Sequence, residues 1–270
     1  MNRRLIFVLT AAALLLCYAS TLRIMTDLWW NDEDLGHCFV VPFVVLWIIW
    51  RERHQWRQVP VEPSRWGFVI LALAAVMHVL AMMGVGPFTA SVGFLLSIVG
   101  AVLAFGGFGI LRAWAFPLLM MAFMLPKLVL VYNQVTLPLQ LLASRIAAGI
   151  LTVVGIGVIR EGNILDVGGH RVSVVEACNG IRYLLSLGFM AVVFAYLSDT
   201  KPWMRMALLA AAVPIAILAN ALRVAAAGWL PSLDAGPPHA ISGGVLFVLC
   251  LAALVVVRRL FNKVYARYES

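Results

Sequence analysis

Nine apolar runs limit what this chain can fold into. They lie at roughly 5–22, 37–50, 66–83, 89–108, 113–131, 138–158, 179–198, 206–228 and 240–257. Most approach the ~20 residues that cross ~30 Å of hydrocarbon, and the second is short. A helix in a soluble core needs only one apolar face, but these runs are apolar on every face. Lipid offers no partner to a backbone N–H or C=O, so each crossing must be a helix that satisfies its own groups. Of the 270 residues 12% are charged, against about 25% in an ordinary soluble domain. The sequence therefore predicts an all-α membrane protein, read as one polytopic domain over residues 1–270.

The net charge of +8 does not point to nucleic acid. Its basic residues sit in short clusters between the apolar runs, as the positive-inside rule requires. Arg3 and Arg4 precede the first run, and Arg51, Arg53, Arg57 and Arg65 follow the second. Arg112 follows the fourth, Lys201 and Arg205 separate the seventh and eighth, and Arg258, Arg259, Lys263 and Arg267 follow the last. All fit a cytoplasmic side, which turns Asp32-Glu33-Asp34 outward. Under that orientation segment 138–158 must start and finish outside. It carries Pro138, Gln140, Ser144, Arg145 and Thr152, so it is expected to lie in the interface or re-enter rather than cross. About eight spans remain, with both termini cytoplasmic.

The one sizeable polar stretch between runs is 160–175. Ile164-Leu165-Asp166-Val167, then Gly168-Gly169, then His170-Arg171-Val172-Ser173-Val174 predicts a β-hairpin on the outer face, because Gly-Gly suits a two-residue turn between β-prone strands.

Cys178 follows that hairpin at the start of a membrane helix. Free amides and the positive end of the helix dipole favour a thiolate there, and Arg182 lies one turn on, on the same face. Arg223 sits inside an apolar run, where an ionisable group costs ~2.5–3.5 kcal/mol on insertion scales and usually has a partner or a function. Counted from Met206 it lies about 25 Å up its helix, near the outer surface, with Asn220 one turn below. His239 opens the last run from the outside. A thiol, a fixed cation and an imidazole at one depth are the parts of an acyl transfer. The thiolate attacks a carbonyl, the histidine protonates the leaving amine, and the arginine holds the oxyanion. The four cysteines (17, 38, 178 and 250) have no metal-ligand spacing, and no cofactor is expected.

These residues resemble the exosortases, multi-spanning bacterial membrane proteins. Val175-Glu176-Ala177-Cys178-Asn179-Gly180-Ile181 is similar to their Glu-Ala-Cys-Ser-Gly-type motif. Asn220-Ala221-Leu222-Arg223 is similar to their Asn-x-x-Arg element, and His239-Ala240-Ile241-Ser242-Gly243 to their His-x-x-x-Gly element. Gly36-His37, followed by Phe39-Val40-Val41-Pro42, resembles their early block. Asn179 stands where serine is commoner, and Cys38 where many members have glycine. The resemblance implies a cysteine protease or transpeptidase of the inner membrane with its active site facing the periplasm. It also implies membrane-anchored substrates bearing a C-terminal sorting signal: a Pro-Glu-Pro-type motif, a membrane helix and a basic tail. A link to exopolysaccharide export or surface-protein sorting goes with it. Carried over by motif, Cys178 is the nucleophile, Arg223 the transition-state stabiliser and His239 the acid/base, with Glu176, Asn179, Arg182, Asn220 and His37 in support.

Two other readings stay open. Intramembrane arginines also line transport pathways, so the chain could be a transporter or an assembly factor for polysaccharide export. His37 with Cys38 could alternatively serve a hydrolase, although adjacent residues of a helix do not face each other.

Overall fold

The computed structural model describes residues 3–174, 180–198, 201–233 and 236–269. They are predominantly helical and fall into two compact units, residues 1–128 and 129–270. Among the described residues seven helices are long and apolar enough to cross a membrane, or eight with one bent pair counted as a span. The expected all-α membrane class is therefore seen in the fold.

In the first unit, helix α1 (Arg3–Cys17) and helix α2 (Ala19–Asn31) meet at Tyr18 and bend by 68°. The sequence shows one uninterrupted apolar run there. The break coincides with side-chain contacts made by Tyr18. Its hydroxyl donates to the Ala74 carbonyl at 3.3 Å and accepts from Ser97 Oγ at 2.7 Å. Its ring packs on His78 and Phe94, with centroids 4.5 and 5.5 Å away. Buried polar groups are held by partners, and these partners draw Tyr18 toward α5 (Trp66–Leu80) and α6 (Pro87–Ala113). Those two helices approach closely because small residues line their seam: a Cβ on Gly67 would stand 2.2 Å from the Ala104 nitrogen.

The second expected span is a 3-10 turn, Glu33–Phe39, continued by α3 (Val41–Arg51) and the short α4 (Arg53–Trp56). Alongside it runs the fifth, whose helical part is only α7 (Ala115–Met120) and a 3-10 turn to Met124. Its contacts show how far it reaches. At one end Trp114 packs edge-on against Trp56 at 5.4 Å. At the other, Met124 accepts from Trp29 Nε1 at 3.1 Å, and Lys127 meets Asp32 and Asp34. The segment thus runs the length of its neighbour although its helix is short.

In the second unit, α8 (Val129–Val153) is one continuous helix of 25 residues through Pro138. It begins earlier than the expected 138–158 segment and is long and apolar enough to cross. Of the polar residues that set that segment apart, Gln140 and Ser144 are buried and Arg145 is exposed.

The expected hairpin is present. Strands β2 (Ile164–Val167) and β3 (His170–Ser173) pair antiparallel, Val167 opposite His170. Gly168 and Gly169 turn the chain with φ of 62° and 89°, the left-handed pair a tight hairpin demands. A third strand, β1 (Ile159–Glu161), adds to β2 across a Gly162-Asn163 turn and was not expected from the sequence. The sheet buries one face. Leu165 and Val172 face each other across the strands and are fully buried with Val174, each contributing about 1.5–3 kcal/mol. Leu165 and Val174 pack with Ala143, Ala147 and Leu151 of α8 and with Val224 and Ala225 of α10 (Pro202–Trp229). The remaining core joins α9 (Ile181–Ser198), α10 and α11 (Gly236–Glu269). Alanines 191, 212, 216 and 219 in that core allow close helix approach around Leu187 and Leu254.

Candidate active site

The site grows from α10. Asn220 and Arg223 sit one turn apart on it and are buried, at 1% and 3% exposure. Partners for Arg223 are found on neighbouring helices. The Arg223 guanidinium lies 5.9 Å from the centre of the Tyr183 ring on α9. The Tyr183 hydroxyl donates to the Gly243 carbonyl on α11 at 3.3 Å. Gly243 lies against both: a Cβ there would stand 3.2 Å from Arg223 Nη2 and 3.3 Å from the Tyr183 hydroxyl. Two of the expected motifs, at Asn220–Arg223 and at Gly243, are therefore brought together.

Cys178, Glu176 and Asn179 lie outside the described residues. The chain on either side of them is described. Before them, Asn163 fixes Val174: its backbone carbonyl accepts from the Val174 N–H at 2.9 Å, and its Nδ2 donates to the Val174 carbonyl at 3.1 Å. The same Nδ2 reaches Gln140 Oε1 on α8 at 3.4 Å. After them, Gly180 takes φ +84°, and a Cβ on it would stand 3.2 Å from the Asn220 carboxamide. Gly180 and Asn220 also line a small apolar pocket with Leu139, Ala143, Leu184 and Ile217. So the last residue of the cysteine motif abuts the first residue of the arginine motif. Arg182 is half-buried in the first turn of α9. His239 has helical backbone four residues before Gly243, which puts the two on one face of α11.

His37 belongs to the first unit. Its Nε2 is 3.9 Å from Cys38 Sγ within the 3-10 turn. Cys38 is a free thiol, fully buried, and donates to the Phe123 carbonyl at 3.2 Å. A buried thiol tied to a carbonyl makes a poor nucleophile.

Sequence reasoning missed Tyr183 and Asn163. An aromatic in an apolar run and an asparagine in a turn carry no signal of their own. It also missed Lys127, whose Nζ lies 2.8 Å from Asp32 and 2.5 Å from Asp34. Among the described residues no group of three His, Cys, Asp or Glu is placed to hold a metal ion.

The sequence model described as transmembrane exosortase matches residues 29–256. That span contains all three motifs. Neither a curated protein nor a solved structure matches the chain. With most of its length matched, the chain belongs to the transmembrane exosortase family.

Proposed function

We propose that the chain is a membrane cysteine transpeptidase or protease that cleaves the C-terminal sorting signals of exported proteins at the outer face of the inner membrane. The observation that carries this is the buried Arg223, packed against Tyr183 and Gly243 in a chain whose family match spans the cysteine, arginine and histidine motifs. Cys178 as thiolate attacks the scissile carbonyl carbon, and Arg223 donates to the oxyanion that forms. Collapse breaks the C–N bond, His239 gives its proton to the departing amine, and a thioester remains on Cys178. Water or an acceptor amine then releases the acyl group and regenerates the thiol.

The outer placement of the site rests on parity. The short fifth segment runs beside α3 from Trp56 to Asp34, which supports reading it as a crossing. On that reading α8 begins and ends on one side. Its exposed Asn133, Gln134 and Arg145 suit a helix at the interface. Eight crossings counted this way would put both termini in the cytoplasm and the hairpin outside.

The test is co-expression with an exported protein ending in a Pro-Glu-Pro motif, a membrane helix and a basic tail. The wild type shortens this substrate, and Arg223→Ala and Cys178→Ala leave it full length. Processing by either variant overturns the assignment. A transport role differs at the cysteine: Cys178→Ser is silent while Arg223 substitutions are inactive in export.

A further inference from the structure

We propose that Tyr183 is the positioning residue for Arg223, holding its guanidinium between an aromatic face and the backbone of Gly243. The inference rests on the reading of Arg223 as the oxyanion donor and adds what aims it. An arginine has long, flexible reach, and an oxyanion donor works only when it is already aimed. Here the aim comes from three helices. Arg223 projects from α10, and the Tyr183 ring on α9 lies 5.9 Å from its guanidinium carbon, within the range of cation–π attraction. The ring cannot swing away freely, because its hydroxyl donates to the Gly243 carbonyl on α11 at 3.3 Å. Gly243 completes the cradle by having no side chain. A Cβ would stand 3.2 Å from Arg223 Nη2 and 3.3 Å from the Tyr183 hydroxyl, so any larger residue displaces one of them. Both side chains are buried, Tyr183 at 4% and Arg223 at 3% exposure. There the attraction is not screened by water.

The cradle also ties Arg223 to the face of α11 that bears His239, since His239 and Gly243 are one turn apart. A shift of Tyr183 therefore changes the register between the donor and the acid/base helix without removing either residue.

Two measurements on the full-length protein in membranes test this. The first is turnover of the tail-bearing substrate. Tyr183→Leu lowers kcat by about 10- to 100-fold, short of the 10²–10³-fold cost of deleting an oxyanion donor outright, with KM little changed. Tyr183→Phe keeps the ring but loses the Gly243 anchor, and gives an intermediate loss. The second does not depend on catalysis: modification of Arg223 by phenylglyoxal, read by peptide mass spectrometry. Tyr183→Leu and Gly243→Ala each raise the labelling rate several-fold while the thermal transition of the protein persists. If Tyr183→Leu fails to fold, Gly243→Ala carries the same prediction from the opposite side of the guanidinium. Unchanged labelling in the folded variants, or a loss confined to KM, overturns the proposal. Altered labelling with processing that survives Cys178→Ala upholds the cradle and overturns the transpeptidase reading instead.

Discussion

Lys127 and Asp34, 93 residues apart in sequence, meet with Nζ 2.5 Å from Oδ2, and Asp32 lies on the same ammonium at 2.8 Å. The Asp34 side chain is 7% exposed and that of Lys127 19%, so the charges are largely removed from water. Removing one partner of a buried pair strands the other. Lys127→Ala is expected to cost about 3–5 kcal/mol, and Lys127→Met with Asp34→Leu together far less. Thermal unfolding in detergent of the single and double variants checks this.

Gly180 is expected to resist substitution. Its φ of +84° is unfavourable for any side chain, and a Cβ would press on Asn220 at 3.2 Å. Gly180→Ala is expected to destabilise by about 1–3 kcal/mol. Asn220→Ala in the same chain removes the carboxamide contact but keeps a Cβ 3.3 Å away and the strained backbone, so it restores only part. Denaturation of both variants tests the division.

Asn163 is expected to matter more than a turn residue should. Its carboxamide satisfies the Val174 carbonyl and reaches Gln140. Asn163→Ala removes the carboxamide donor from both acceptors, at a cost of about 1–3 kcal/mol. Hydrogen exchange of the β2–β3 amides reports it, with faster exchange expected in the variant.

Much of this was legible because its cause is local. The hairpin follows from Gly168-Gly169 between alternating β-prone residues, and both strands are found where those residues put them. Arg223 stood out because charge is costly in an apolar run, and Asn220 followed from helical spacing. What was not legible depends on long-range partners. The bend at Tyr18 is tied to contacts with Ala74 and Ser97, which an unbroken apolar run conceals. The start of α8 at Val129 was hidden because Lys127 and Leu128 join one apolar stretch to the next. Tyr183 gains meaning only when α9, α10 and α11 are placed together.

The most direct test of the central claim is the chemical state of Cys178 during turnover. The purified protein is quenched in acid while processing a tail-bearing substrate, and its peptides are examined by mass spectrometry. The account predicts the N-terminal fragment of the substrate joined to Cys178 as a thioester, released by hydroxylamine. Cleaved substrate with no adduct at Cys178, and undiminished cleavage by Cys178→Ala, would contradict it.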